Sequence, residues 1–125
     1  MVIDLLAGRR RVGAVVNLAV PGGNANAAAI WTVTNAGAVG VKSVTPRRLK
    51  VRSNGVGADT WIHIGTGVAG AVVDIIPALR LINNTTDDYV EGDLPAVKSG
   101  VTLMAYVDAI AAGSVDVQVE VEEVG

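Results

Sequence analysis

The chain has 125 residues, a net charge of −2 and no cysteine. This length suits one domain with a single hydrophobic core, and the lack of cysteine excludes disulfides and thiolate metal sites. No apolar run is long enough to span a membrane and the N-terminal residues do not read as a signal peptide, so we expect a protein made in the cytoplasm. Half of the residues are hydrophobic, but two tryptophans and two tyrosines are the only aromatic residues. Small β-branched side chains must therefore fill most of the core.

Charge is distributed unevenly along the chain. Residues 1–52 carry eight basic and one acidic side chain, whereas residues 53–125 carry two basic and eleven acidic ones. Such asymmetry predicts complementary surfaces, either within the fold or between copies of the protein. The alternative is that the basic side chains only decorate one solvated sheet edge.

Residues 1–13 are predicted to form an N-terminal arm, and residues 14–125 a β-sandwich domain. The arm contains Arg9, Arg10 and Arg11, which could dock on an acidic protein surface or remain a mobile, solvated terminus. Nucleic acid is disfavoured as a partner, because the rest of the chain is acidic and does not interleave basic residues with aromatics.

The first half of the domain alternates between apolar and polar residues with the period of a β-strand. The pattern predicts strands over residues 14–20, 28–34, 41–45 and 47–53, with Pro46 separating the last two. In the fourth of these, Leu49 and Val51 face one way and three basic residues face the other: Arg48, Lys50 and Arg52. This strand is expected to show a basic outer face.

The second half continues in the same manner and ends on the clearest strand of all. Strands are predicted over residues 60–64, 71–76, 78–82, 101–107 and 114–124, with a polar loop over 83–92. In the last strand four valines alternate with polar residues, of which three are acidic: Asp116, Glu120 and Glu122. This acidic face mirrors the basic one, and the two could pair across a sheet or across an interface between copies.

From this pattern we expect a fold of seven to eight short, mostly antiparallel strands separated by glycine and proline. Helix is nearly absent from the pattern and no repeat of fixed period is present. The fold class is therefore predicted to be all-β, a β-sandwich.

The chain lacks the usual equipment of an enzyme. His63 is the single histidine, and with no cysteine or triad in its sequence neighbourhood it is interpreted as a structural residue. The Gly-rich run at residues 65–70 matches G-x-G-x-x-G, but β-branched residues and Pro77 follow it instead of a helix, so a flexible turn is favoured over a dinucleotide site. Neither a cofactor, nor a metal, nor a small-molecule substrate is predicted.

Two further surface clusters leave weaker alternatives open. The acidic residues Asp87, Asp88, Glu91 and Asp93 could hold Ca²⁺, but they lack EF-hand spacing and a solvated loop is favoured. Trp61 and Tyr89 could form a platform for a sugar, although aromatics at strand positions more often belong to the core.

In overall style the chain resembles the small decoration (cement) proteins of tailed-bacteriophage heads and related phage structural proteins. The resemblance lies in four features: the short leader with Arg9 to Arg11, the strand TWIHIGTG at residues 60–67, the turn at Asp93-Leu94-Pro95, and the valine-alternating acidic end. It extends over most of the length.

The resemblance implies a jelly-roll-like sandwich located on the exterior of a virion. It implies a homotrimer that reinforces the shell, with Arg9, Arg10 and Arg11 docking on the major capsid protein. The opposed charged faces, Arg48, Lys50 and Arg52 against Asp116, Glu120 and Glu122, are then expected to join neighbouring copies. The alternative function is that of a carbohydrate-binding β-sandwich, such as a fibre or receptor-binding head.

Overall fold

The computed structural model describes residues 9–31, 43–82, 86–90, 95, 97–98 and 101–124, with backbone only at residues 9, 10, 86–90, 98 and 124. Predictions for residues 1–8, 32–42, 83–85 and 91–94 lie outside the described residues. The described part contains eleven strands and a single turn of 3-10 helix, Asn24–Asn26. The strands are β1 (Arg9–Val12), β2 (Val16–Ala19), β3 (Ala28–Trp31), β4 (Ser43–Asn54), β5 (Thr60–Thr66), β6 (Val73–Asp74), β7 (Leu79–Leu81), β8 (Thr86–Val90), β9 (Val97–Lys98), β10 (Leu103–Val107) and β11 (Ser114–Val124).

The strands form two antiparallel sheets. A six-stranded sheet has the order β1-β11-β4-β8, with β2 also paired to β11 and β9 also paired to β4. A five-stranded sheet has the order β3-β10-β5-β6, with β7 also paired to β5. The pairs β2–β11, β3–β10, β4–β8 and β5–β6 are nested in sequence and alternate between the sheets. One long ribbon folded over itself in this way is a jelly roll, so the predicted sandwich is confirmed.

The core lies between the two sheets and is built mainly from aliphatic side chains. The four alternating valines of β11 are buried, each at most 1% exposed: Val115, Val117, Val119 and Val121. From the other sheet, Ile62 and Leu103 are both fully buried in the same cluster. The period-two pattern of β11 therefore predicts its inward face correctly, because alternate residues of a strand point to opposite faces.

Pro46 does not separate two strands as predicted, because β4 runs continuously through it. Along β11, Glu120 is opposite Arg48 and Val121 is opposite Pro46, which leaves Arg47 as an extra residue in a β-bulge. Proline cannot donate a ladder hydrogen bond and is tolerated inside a sheet where a bulge interrupts the ladder. The buried Pro46 ring sits at such a place.

Three segments that the pattern does not predict as strands form short strands, β1, β8 and β9, and they raise the number in the described part of the chain to eleven. Residues 86–90 of the predicted polar loop form β8 along β4. Residues 9–12 of the predicted arm form β1 along β11, so the described part of the sheet includes residues that precede the predicted domain start at residue 14. For β1 and β8 the neighbouring strand carries the opposite charge, and this tertiary context outweighs the weak strand propensity of the segment.

Candidate functional site

The outward side of the six-stranded sheet is covered by the charged side chains of β4 and β11. We call this surface the charged face. Its members are Arg48, Lys50 and Arg52 on β4 and Asp116, Gln118 and Glu120 on β11. The register places Arg52 opposite Asp116, Lys50 opposite Gln118 and Arg48 opposite Glu120. The two predicted charged faces thus lie side by side within one chain.

Glu122, the third predicted acidic residue, is engaged at the bulge. Its Oε1 atom accepts hydrogen bonds from Arg47, at 2.7 Å from Nη2 and 3.3 Å from Nε. The bulge therefore brings the Arg47 guanidinium to Glu122, a pairing that the sequence pattern does not predict.

Asp116 of the charged face is held by hydrogen bonds to both of its carboxylate oxygens. Asn17 donates to its Oδ1 at 2.8 Å and Asn54 donates to its Oδ2 at 2.9 Å. These bonds, that of Asn17 first, lower the pKa of Asp116 against the opposing effect of burial, and the positive charge of Arg52 adds to the lowering. Asp116 is thus a fixed negative charge between β2 and β4.

Two shallow grooves adjoin on the charged face. One has a volume of about 330 Å³ and is lined by Val15, Lys50, Arg52, Asp116, Val117 and Gln118. The other has a volume of about 220 Å³ and is lined by Val12, Arg48, Lys50, Gln118 and Glu120. They share Lys50 and Gln118, and the exposed Val12 and Val15 lie along one side. The surface is open and carries both signs of charge.

Arg11, one of the three predicted docking arginines, contributes to the rim of the core. Its Nη1 lies 3.1 Å from Oε1 of Glu123, whose side chain is only 2% exposed, and its guanidinium lies 5.3 Å from the ring centroid of Trp31. A buried carboxylate needs such a partner. Arg9 and Arg10 are placed in β1, opposite Glu123 and Glu122 respectively.

A second polar cluster, on the outward side of the five-stranded sheet, was missed by the sequence analysis. His63 Nδ1 lies 2.8 Å from Asp74 Oδ2, and His63 Nε2 lies 2.8 Å from Asp108 Oδ1. The imidazole also stacks on Tyr106, with ring centroids 4.3 Å apart and planes within 3° of parallel. The sequence analysis interprets His63 as a structural residue but does not find its carboxylate partners, because Asp74 and Asp108 belong to other segments that share no motif with it.

The cluster around His63 favours a positive imidazole. Burial alone would lower the pKa of His63, but the hydrogen bonds and charges of Asp74 and Asp108 outweigh burial and raise it. Burial raises the pKa of Tyr106, and the charge of Asp74 adds to this, while a hydrogen bond with Asn24 offsets part of it. A protonated His63 can donate to both carboxylates at once, so it joins β6 to the end of β10.

The glycine-rich run at residues 65–70 forms a packed turn. Gly67 and Gly70 have φ angles of 119° and 89°, values that favour glycine. Strand β6 follows the run in place of the helix that a dinucleotide site requires. Asn24 holds the segment by bonding both the N–H and the C=O of Val72, at 3.0 and 3.1 Å.

Within the described residues, no group of three potential metal-ligating side chains is arranged to hold an ion. Of the predicted acidic cluster, Asp87 and Asp88 lie in β8, whereas Glu91 and Asp93 lie outside the described residues. No helix of the described part is long and apolar enough to cross a membrane. Comparisons with protein-family models, with curated proteins and with solved structures found no match to this chain.

Proposed function

We propose that this protein is a non-enzymatic structural protein that binds and stabilises a viral capsid shell as a decoration protein, as a homotrimer on the capsid exterior. The observation that carries the proposal is the charged face with its two open, adjoining grooves. Small-molecule sites are usually concave and mostly apolar. A shallow surface with both signs of charge and a few exposed valines fits a protein partner instead, here the major capsid protein.

The fold supports this proposal by analogy. Jelly-roll sandwiches serve as capsid domains and also as lectin domains, and a fold does not by itself select a function. Three N-terminal arginines are predicted to dock on the capsid, but Arg11 is paired with Glu123 of its own chain. We therefore assign capsid contact to the charged face and keep docking by Arg9 and Arg10 as part of the proposal.

The test is co-sedimentation of the purified protein with undecorated tailed-phage shells of the virus that encodes it. Lys50 lines both grooves, so Lys50→Glu should raise the dissociation constant for shell binding about tenfold, the effect of about 1.4 kcal/mol. Arg80→Glu is the matched control, because it makes the same charge change on the five-stranded sheet, in an exposed pair with Asp59. Failure of the wild-type protein to sediment with shells would refute the proposal.

A second candidate function, carbohydrate binding, is favoured by one observation. Trp61 is 46% exposed on the outward side of β5, and Arg80 is opposite it on β7. An exposed indole beside polar side chains is a surface on which a sugar ring can stack. A glycan array separates the two functions, because selective binding that is lost in Trp61→Ala would support the lectin role and a decoration protein should give no selective signal.

A further inference from the structure

The four principal strands of the six-stranded sheet alternate in charge across the sheet. β1 contains three arginines and β8 contains two aspartates. Between them, β11 has four acidic and no basic residues, and β4 has four basic and no acidic residues. In the order β1-β11-β4-β8 the strands are therefore basic, acidic, basic and acidic.

The two edges of this sheet consequently have opposite charge. In the described part of the chain no strand pairs with the outer side of β1 or of β8. An exposed edge presents unpaired backbone N–H and C=O groups, which can pair with a strand of another molecule. β9 lies on the same edge as β8 and contains one basic residue, Lys98. Lys98 is opposite Ser43, whereas β8 lies along residues 48–52 of β4, so Lys98 is at the other end of this edge.

The strand directions also allow the sheet to continue into a second copy. Each neighbouring pair in the order β1-β11-β4-β8 is antiparallel, so β8 runs opposite to β1. A copy placed beside the first in the same orientation would therefore bring its β1 antiparallel to β8. Asp88 lies opposite Lys50, which in turn lies opposite Gln118 of β11. On the other side of β11, Arg10 lies opposite Glu122, so the two edge residues are offset by four residues along β11. A stagger of about four residues would align them, and staggered strands are the geometry of a sheet that curves into a closed ring.

We propose that the basic β1 edge of one copy pairs with the acidic β8 edge of a second copy, so that the sheet and its charge alternation continue from copy to copy. A two-fold dimer would join two identical edges and oppose like charges. A head-to-tail contact avoids this, and it generates a ring when the rotation closes. The inference rests on the proposed function, which requires several copies to assemble. The strands that carry the charged faces pair within one chain, so the contact between copies is assigned to the sheet edges instead.

The experiment measures native mass by light scattering for the free protein, without shells, over a range of concentration and salt. The wild-type protein should associate at low salt and dissociate at high salt, because salt screens exposed charges. Arg9→Glu with Arg10→Glu gives two acidic edges, and Asp87→Lys with Asp88→Lys gives two basic edges. Each double variant should associate about tenfold more weakly, since opposed like charges weaken cross-strand pairing.

Charge exchange provides the decisive arm of the experiment. All four substitutions in one chain place opposite charges at every contact again and should restore association in full. The two double variants mixed together place opposite charges at each mixed contact, which is two of the three contacts in a trimer, and should restore association in part. Arg80→Glu and Asp59→Lys are matched controls on an exposed pair of the other sheet, and they should leave the mass unchanged. Circular dichroism verifies that each variant is folded. Where one double variant fails to fold, the other still tests the contact, because like charges meet at the contact between copies in either of them.

The inference is overturned if the wild-type protein is monomeric under all these conditions, or if charge exchange does not restore association. Shell binding is scored separately. The Asp87→Lys, Asp88→Lys variant serves here, because Arg9 and Arg10 are also proposed to dock on the capsid. If this variant is monomeric but still coats shells, the capsid role stands without this contact, and a wild-type ring that binds no shell would leave the contact standing without the capsid role.

Discussion

At the scale of single residues, two buried polar side-chain atoms within the described residues have no hydrogen-bond partner. They are Nε1 of Trp31 and Oγ of Ser53. Ser53 lies on the inward face of β4, opposite Val115, and is 6% exposed. An unsatisfied buried hydroxyl lowers stability, because its hydrogen bonds to water are lost and not replaced.

Ser53→Ala is therefore expected to stabilise the protein by about 1 kcal/mol, since it removes the unsatisfied hydroxyl and leaves only a small gap. The free energy of unfolding in urea measures the change. The matched control is Ser114→Ala, because the Ser114 hydroxyl accepts a hydrogen bond from Asn17 at 2.9 Å and its loss should destabilise. A loss of stability in Ser53→Ala would contradict the interpretation.

His63 provides a second prediction at this scale, concerning pH. Its pKa is raised in the folded protein through Asp74 and Asp108, so its contribution to stability is complete below the unfolded value of about 6.5 and is lost as the pH rises through the folded pKa. The thermal midpoint should therefore decrease as the pH rises above about 6.5. In His63→Gln that fall should be smaller, whereas an equal fall in both proteins would exclude His63 as its source.

At the scale of elements, the turn that leads from β10 in one sheet to β11 in the other depends on close packing. Gly113 has a φ of 73°, and a Cβ atom placed on it would collide with the backbone of Asn54 and Gly55 in the turn that follows β4. The two turns therefore fit together only because Gly113 has no side chain.

Gly113→Ala should destabilise the protein by about 2 kcal/mol or more, because backbone strain and the collision add. Gly57→Ala is the control. It shares a positive φ, 83°, but a Cβ atom there has open space, so only strain of about 1 kcal/mol is expected. Equal losses in the two variants, measured by urea unfolding, would show that the collision is relieved without cost.

The elements also show where sequence reasoning succeeds and where it stops. β11 was predicted with its face and its ends, because four valines at every second position leave one choice of inward side. The residues of β8 are predicted as a loop, because aspartate has low strand propensity. They form a strand because they pair with the basic strand β4, which the local sequence does not show. The partners of His63 were missed for a similar reason. Asp74 and Asp108 are brought to it by strand pairing between distant segments, which one sequence does not encode as a local pattern.

At the scale of the whole molecule, the two sheets share one core. Leu103 on β10 is fully buried in the same cluster as Val117 and Val119 on β11. One shared core predicts one cooperative unfolding transition. Fluorescence of Trp31 and Trp61 reports on the five-stranded sheet, and circular dichroism reports on all strands.

Leu103→Ala is expected to lower the free energy of unfolding by about 3 kcal/mol, because it leaves a cavity between the sheets. Both signals should shift together, since neither sheet can keep its inward face buried alone. Val73→Ala, at a side chain that is 68% exposed, should stay within about 0.5 kcal/mol of the wild type. Separate transitions for the two signals would contradict a shared core.

The alternating charge of the six-stranded sheet also bears on the route by which the chain folds. β11 is made last and must insert between β1 and β4, which lie far earlier in the sequence, and such distant pairings form slowly. During that search, β1 beside β4 would oppose arginines, and β8 beside β11 would oppose carboxylates. Wrong strand orders are therefore disfavoured before the core closes, and the acidic β11 finds its lowest energy only between two basic neighbours.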